Sequence, residues 1–242
     1  MKTALVTGAK QGIGKATAIA LAKAGYSVAI NYRSDDEVAQ AVLDECNNHS
    51  ENNILVQADL TASGEIEKMF EIIKESFGSL DVLVNNAGIF SEEDSPTNLE
   101  VFEDIYRSNF KSCVEVTKNA LDLMDTGSIV NISSIHGRLG HGRPEATAYS
   151  AFKAAMDSYT KNLAKDVAPK VLVNAVAPGR VNTPMWGAES DEEKQELGQV
   201  HAIERMIEPE EIADAVLFLI NNKAMCGEIL TVDGGMSLVT LG

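Results

Sequence analysis

The sequence predicts an α/β fold: a doubly wound, parallel, seven-stranded sheet with helices on both faces, formed as one domain over residues 1–242. Short apolar runs rich in β-branched residues recur at 4–6, 27–31, 54–57, 82–84, 128–132, 171–176 and 229–232, each of a length suited to a strand buried on both faces. Longer stretches with helical periodicity separate them at 14–24, 35–46, 64–77, 99–124, 148–166 and 210–220. Strand and helix alternate from end to end, and no repeat, low-complexity tract or linker interrupts them.

The first run leads into Thr7-Gly8-Ala9-Lys10-Gln11-Gly12-Ile13-Gly14 and then a helix. Glycines here permit a tight turn and a close approach to a pyrophosphate, whose charge is met by the amides at the helix start. The spacing departs from G-x-G-x-x-G, with three residues between Gly8 and Gly12. The second run ends at Asn31, followed by Tyr32, Arg33 and Ser34 rather than by a carboxylate for the adenosine ribose. Lys10, Arg33 and Ser34 are therefore expected to receive a 2′-phosphate, which favours NADP(H) over NAD(H). Asp35 and Asp36 close by support the opposing reading of Arg33 as a solvated loop cation.

Asp59-Leu60 follows the third run, and Asn85-Asn86-Ala87-Gly88 the fourth. Asp59 is expected to accept from the adenine amino group or to act as a helix cap; the second stretch is either a turn or a place where the backbone nears a cofactor. Tyr149 and Lys153 lie one turn apart on one face of the 148–166 helix. A fixed cation beside a phenol stabilises the phenolate and brings a group of ordinarily high pKa toward working range, so the pair suggests acid/base chemistry. Two segments break the alternation: 137–147, rich in Gly and basic or histidine side chains, and 182–206, long, acidic and weakly periodic around 191–195. Both are expected at the carboxyl ends of strands, where ligands bind.

A net charge of -16 argues against nucleic acid or an anionic membrane as principal partner. Cys46, Cys113 and Cys226 are odd in number and widely spaced, so neither a disulfide framework nor a zinc site is expected. Met1 runs directly into a strand, with no charged-then-apolar leader and no run of membrane-spanning length, which makes a cytoplasmic location the expectation.

Taken in order, Thr7-Gly8-x3-Gly12-x-Gly14, Asn85-Asn86-Ala87-Gly88, Asn109, Ser134, Tyr149-x3-Lys153, Pro178-Gly179 and Asp233-Gly234-Gly235 resemble the short-chain dehydrogenase/reductase family. The pattern is nearest to the 3-oxoacyl-acyl-carrier-protein reductases and covers essentially the whole chain. The resemblance implies a Rossmann-type sheet and an NADP(H)-dependent interconversion of ketone and secondary alcohol by hydride transfer. It casts Tyr149 as general acid/base and Lys153 as the ligand of the nicotinamide ribose that lowers the tyrosine pKa. It casts Ser134 as the group polarising the substrate oxygen, and Asn109 as a helix interruption holding a relay water. Pro178, Gly179, Val181 and Thr183 would hold the nicotinamide carboxamide, and 182–206, with Met185 and Trp186, would form a mobile lid. The resemblance also implies a homotetramer, for which the sequence offers Phe110, Val114, Phe152 and Met156 as apolar candidates.

Two departures from that pattern bear on the substrate. The segment 137–144 is about two residues longer than in the carrier-protein reductases, and Arg138, His141 or Arg143 is expected to meet an anionic or polyhydroxylated substrate, against the alternative of a solvent-facing loop. Those reductases meet an acidic carrier with basic residues before the fifth strand, whereas Leu121-Asp122-Leu123-Met124-Asp125-Thr126-Gly127 contains no cation. The competing readings are a 3-oxoacyl thioester reductase, with the acyl carrier protein a disfavoured partner; a dehydrogenase or reductase of a sugar, polyol or other small carbonyl compound; and a dinucleotide-binding sensor or scaffold without turnover.

Overall fold

The computed structural model describes residues 1–138, 144–187 and 190–238. In chain order the elements are β1 (Lys2–Val6), α1 (Gly12–Lys23), β2 (Tyr26–Tyr32), α2 (Asp36–Asn47), β3 (Ile54–Gln57), α3 (Glu65–Phe77), β4 (Val82–Asn85), α4 (Leu99–Ile105), α5 (Ser112–Leu121), β5 (Gly127–Ile132), α6 (Thr147–Val167), β6 (Val171–Pro178), α7 (Asp191–Gly198), α8 (Pro209–Asn221) and β7 (Ile229–Val232). The strands form one parallel sheet in the order β3-β2-β1-β4-β5-β6-β7.

Both faces of this sheet are covered, which is why its strands read as continuous apolar runs rather than alternating ones. All seven residues of β2 are buried. Along β1, Ala4 and Val6 join one core with Ile19 and Leu21 of α1 and Val216 and Leu219 of α8. Leu5, pointing the other way, joins a second core with Met69 and Ile73 of α3, Val116 of α5 and Ala164 of α6. The strand order reverses between β1 and β4, and there the loops leaving the carboxyl ends diverge and open a crevice.

Two elements differ from the sequence expectation. The single helix expected over 99–124 is three consecutive pieces: α4, a π-helical segment at Tyr106–Lys111, and α5. The wider π turn carries Asn109, fully buried, toward Ile89, where its amide donates to the Ile89 carbonyl (2.8 Å) and accepts from the Ile89 amide (2.7 Å). The helix α7 lies where only weak periodicity is visible. Its signal is a capping box, in which Ser190 accepts from the Glu193 amide and the Glu193 carboxylate accepts from the Ser190 amide, with no apolar stripe behind it.

Candidate active site

The crevice is lined by residues from six strand ends. The turn after β1 is held open by two neighbours. Asn31, at the end of β2, accepts from the Gly8 amide through its side chain (3.1 Å) and from the Ala9 amide through its carbonyl (2.8 Å). From the β4 loop, Asn86 donates to the carbonyls of Thr7 (2.8 Å) and Gly8 (3.1 Å), while the Thr7 hydroxyl accepts from the amides of Asn86 and Ala87. Gly8 has φ of 61°, which a side chain would strain. At Gly14 a Cβ would lie 2.5 Å from the Asn86 amide nitrogen, so this glycine serves packing between loop and helix. Helix α1 begins here with no side-chain cap from Gln11 and no acidic residue in its first turn. Its free amide end fits a pyrophosphate.

On the adenosine side, Tyr32, Arg33, Asp59 and Leu60 line the crevice. Asp59 accepts from the amide and hydroxyl of Thr61 (2.9 and 2.7 Å). Burial pushes its carboxyl up, but the Thr61 bonds and the Arg33 charge outweigh this and hold it below its ordinary value. Lys10 donates to the Ser34 carbonyl (3.3 Å) and is ion-paired with Asp35, whose carboxyl it holds below the usual range. Of the three groups expected to meet a 2′-phosphate, Lys10 is thus already engaged, Ser34 lies off the crevice wall, and Arg33 is on it.

On the opposite side, Ser134 follows β5 and Tyr149 and Lys153 project from α6. The Lys153 ammonium lies 5.6 Å from the centre of the Tyr149 ring and donates to the Ile132 carbonyl (2.7 Å). Lys153 is 4 % exposed, and burial pulls its pKa down to about 8, against the opposing influence of Cys113 and Asp157. The Ser134 hydroxyl, also buried, accepts from the His136 amide (3.2 Å). Helix α6 takes its N-terminal cap from a distant residue. Asp94, buried in the loop after β4, accepts from the Ala148 amide with one carboxylate oxygen and from the Tyr149 amide with the other, both at 2.9 Å. The charge complements the helix dipole and fixes the turn that bears the phenol.

The turn after β6 closes the crevice. Gly179 donates to Val232 and Asn182 to Ile207, while the Arg180 amide donates to Nε2 of the buried His201 (3.0 Å). Burial holds His201 below its ordinary pKa, in keeping with that acceptor role. Thr183 packs so closely on Gly12 that a Cβ there would be 3.0 Å from its methyl.

Gly8, Lys10, Gln11, Gly12, Ile13, Tyr32, Arg33, Asp59, Leu60, Asn86, Ala87, Gly88, Ser134, Tyr149, Lys153, Pro178, Gly179, Val181 and Thr183 therefore share one cleft of about 610 Å³. Buried Gly14 and Asn109 and exposed Ser34 are not part of its lining. Arg138, one of three residues expected near substrate, donates to the Ile229 carbonyl (3.1 Å) and the Thr231 hydroxyl (2.8 Å) of β7, with an Asp157 carboxylate oxygen 3.8 Å from its guanidinium. His141 and Arg143 lie outside the described residues. Asn31, Asp94, Phe90 and His136 were not singled out from sequence. A strand-end asparagine and a loop aspartate have no local pattern that announces a partner far along the chain.

The family model described as Enoyl-(Acyl carrier protein) reductase matches residues 8–237. The chain belongs to the short-chain dehydrogenase/reductase family. It is 36% identical over 242 residues to the 3-oxoacyl-(acyl-carrier-protein) reductase FabG of Staphylococcus aureus, covering 97% of this chain and 98% of that protein. Among solved structures, a short-chain dehydrogenase/reductase from Serratia marcescens superposes with a TM-score of 0.90 at 31% identity, covering 98% of each chain. The angucycline C-6 ketoreductase LanV, solved with bound NADP, gives 0.86 at 30% identity, covering 98% of this chain and 96% of that one. As a member of this family the protein is an NAD(P)-dependent oxidoreductase, and the cleft is shaped for a nicotinamide dinucleotide.

Replacing Asp94 by Ala leaves two amides of α6, one buried and one partly buried, without a charged acceptor and is expected to cost about 1–3 kcal/mol in denaturant unfolding. Asp94→Asn, which keeps one acceptor, should cost less. For Lys153, the folded pKa lies below the unfolded one. The unfolded chain then holds more protons between about pH 8 and the ordinary lysine range, and stability rises with pH across that window. Lys153→Met is expected to flatten that rise, measured by urea titration at several pH values.

Proposed function

We propose that the protein reduces a ketone to a secondary alcohol, and catalyses the reverse, with NADP(H) preferred to NAD(H). The observation that carries this reading is the convergence of Ser134, Tyr149 and Lys153 on the same cleft wall, facing the glycine turn and the uncapped start of α1. When bound, the nicotinamide supplies the hydride. The residues of this chain do the rest. The Ser134 hydroxyl donates to the substrate oxygen and polarises the carbonyl; Tyr149 gives its phenolic proton to that oxygen as negative charge develops, and recovers it from alcohol in the reverse direction.

Lys153 stabilises the resulting phenolate and holds the nicotinamide ribose. Its burial lets a single neighbouring charge act with little screening. Asn109, clamped to Ile89 inside the π segment, holds the backbone in a form that admits a relay water toward Lys153. Gly8, Gln11, Gly12 and Ile13 receive the pyrophosphate, with Gly14 packing behind them, and Asp59 and Leu60 the adenine. Asn86, Ala87 and Gly88 lie along the ribose, while Pro178, Gly179, Val181 and Thr183 fix the carboxamide. Arg33 receives the 2′-phosphate, with Tyr32 beneath it and Ser34 and Lys10 able to join once Asp35 yields. LanV, solved with NADP, supports that cofactor preference.

The segment 182–206 acts as the lid over the substrate. The relatives' names support ketone reduction, one of a 3-oxoacyl thioester and one of an angucycline. An acyl carrier protein is the less favoured partner, because Asp122 and Asp125 stand before β5 in a chain of net charge -16. Phe110, Val114 and Phe152 are half-buried, and the rings of Phe102, Tyr106 and Phe110 gather around Phe152, with Tyr159 against Phe110, an apolar cluster that supports a homotetramer. Met156 is buried within the subunit and belongs to the core. No helix among the described residues is long and apolar enough to cross a membrane, which fits a cytoplasmic enzyme.

Tyr149→Phe is expected to lower kcat for ketone reduction by about 10²–10⁴-fold while NADPH still binds, and wild-type kcat/KM should be higher with NADPH than with NADH across a carbonyl panel. If NADPH binds but no carbonyl is turned over, or the variant turns over as the wild type does, the sensor or scaffold reading replaces this one.

A further inference from the structure

His201 is a buried titratable group that the proposed chemistry does not use. It follows α7 near the far end of the segment 182–206 and is 1 % exposed. Each of its ring nitrogens faces a backbone group with a single role. Nδ1 stands 3.2 Å from the Gly198 carbonyl, which can only accept, and Nε2 lies 3.0 Å from the Arg180 amide, which can only donate. The ring proton therefore sits on Nδ1, and Nε2 keeps its lone pair for Arg180.

Two glycines make room for this ring. A Cβ on Gly179 would lie 2.8 Å from Nε2, and one on Gly234 would lie 3.3 Å from Cδ2. Gly179 donates to the Val232 carbonyl and Ile203 to the Gly234 carbonyl, so the imidazole stands between the Pro178-Gly179 turn and the Asp233-Gly234-Gly235 turn. Beside it the segment closes on itself: the Ile207 amide donates to the Arg180 carbonyl (3.0 Å), and the Asn182 amide donates to the Ile207 carbonyl (2.8 Å).

We infer that neutral His201 is a positioning residue, which holds the turn over residues 178–183 in the form that grips the nicotinamide, and that a proton on Nε2 releases this turn, so that nicotinamide affinity falls in acid. The inference rests on the reading of that turn as the carboxamide clamp. With Nε2 protonated, two N–H groups point at each other, the Arg180 amide loses its acceptor, and one of the two must move away. The charged groups about the ring oppose one another. The Arg180 guanidinium, from the turn after β6, disfavours the imidazolium; Asp233, from the end of β7, favours it, although that carboxylate already accepts from the Gly235 (3.0 Å) and Ser237 (2.8 Å) amides. Arg205 is paired with Glu211, while Glu196 at the end of α7 and Glu204 are exposed. Burial, with Arg180, keeps the ring below the ordinary histidine range, so the neutral form prevails at neutral pH.

The test compares the dissociation constants of NADPH and 2′-phospho-ADP-ribose, and of NADH and ADP-ribose. Each pair differs in the nicotinamide, so titration of the shared phosphates cancels and the affinity ratio isolates the hold on that ring. In the wild type the ratio should fall by about threefold or more between about pH 7.5 and about pH 5. In His201→Gln, whose side-chain oxygen accepts from Arg180 without titrating, it should stay within about twofold over that range. At neutral pH His201→Gln should retain a higher ratio than His201→Leu, which offers no acceptor.

A wild-type ratio that is flat in pH, or the same pH profile in His201→Gln, overturns the inference. Thr183→Ala, which truncates the clamp itself, should lower the ratio at every pH. If it does so while wild type and His201→Gln share one profile, the clamp reading stands and the inference alone falls; if it changes nothing and the profile is flat, both fall. Should His201→Gln fold poorly, the imidazole nitrogen resonances of the cofactor-free wild type decide. Nε2 must be the unprotonated nitrogen at neutral pH, and its protonation must coincide with the onset of the affinity loss. A proton on Nε2 at neutral pH, or a titration apart from that onset, overturns the inference.

Discussion

The site depends on how α6 is anchored to the sheet by buried polar bonds. At the N-terminus, Asp94 bridges the Ala148 and Tyr149 amides. One turn on, Lys153 donates to the Ile132 carbonyl at the end of β5. A turn further, the Asp157 carboxylate accepts from the Ser133 hydroxyl, and beyond it the Thr160 hydroxyl accepts from Asn131, which in turn accepts from Asn85 of β4. These residues recur along one face of the helix, where an ordinary α/β protein would carry an apolar stripe. Each bond has a fixed length and direction, so together they set the helix in one register against β5, and with it the distance between the phenol of Tyr149 and the hydroxyl of Ser134.

That anchoring has a cost at Lys153. Burial of an ammonium held with 4 % exposure disfavours its charged form and lowers its pKa to about 8. The fold tolerates the charge because the carbonyl of Ile132, the carboxylate of Asp157 and the rest of the network face it. The same neighbours that make the lysine expensive keep it in place to act on Tyr149. Stability is traded for a charge positioned where proton transfer requires one.

The seven apolar runs, the glycine turn and the Tyr149–Lys153 spacing were legible in the sequence because each is a local pattern: a run length, a turn requirement, a helical repeat. The π segment was not, since Tyr106–Lys111 has the composition of a helix and its extra residue shows only in where Asn109 points. Nor was α7, whose helix rests on a cap rather than a periodic apolar face. Asp94 and Asn31 escaped for a different reason: they bond backbone amides 54 and 23 residues away, and nothing near them in the chain marks those partners. The partners of Arg138 were equally hidden: Asp157 reads as one more polar residue of α6 until the fold brings the two within 3.8 Å. Longer-range pairing, rather than element type, is what the linear pattern leaves hidden.

The amides of a helix's first turn have no acceptor within their own helix and ordinarily exchange with solvent quickly. Hydrogen exchange at Ala148 and Tyr149, resolved by NMR, therefore tests the anchoring of α6 most directly. If Asp94 pins this turn as described, both amides should be protected to nearly the level of the central β5 amides, and Asp94→Ala should release them while β5 stays protected. Exchange in the wild type as fast as at a frayed helix end would contradict it.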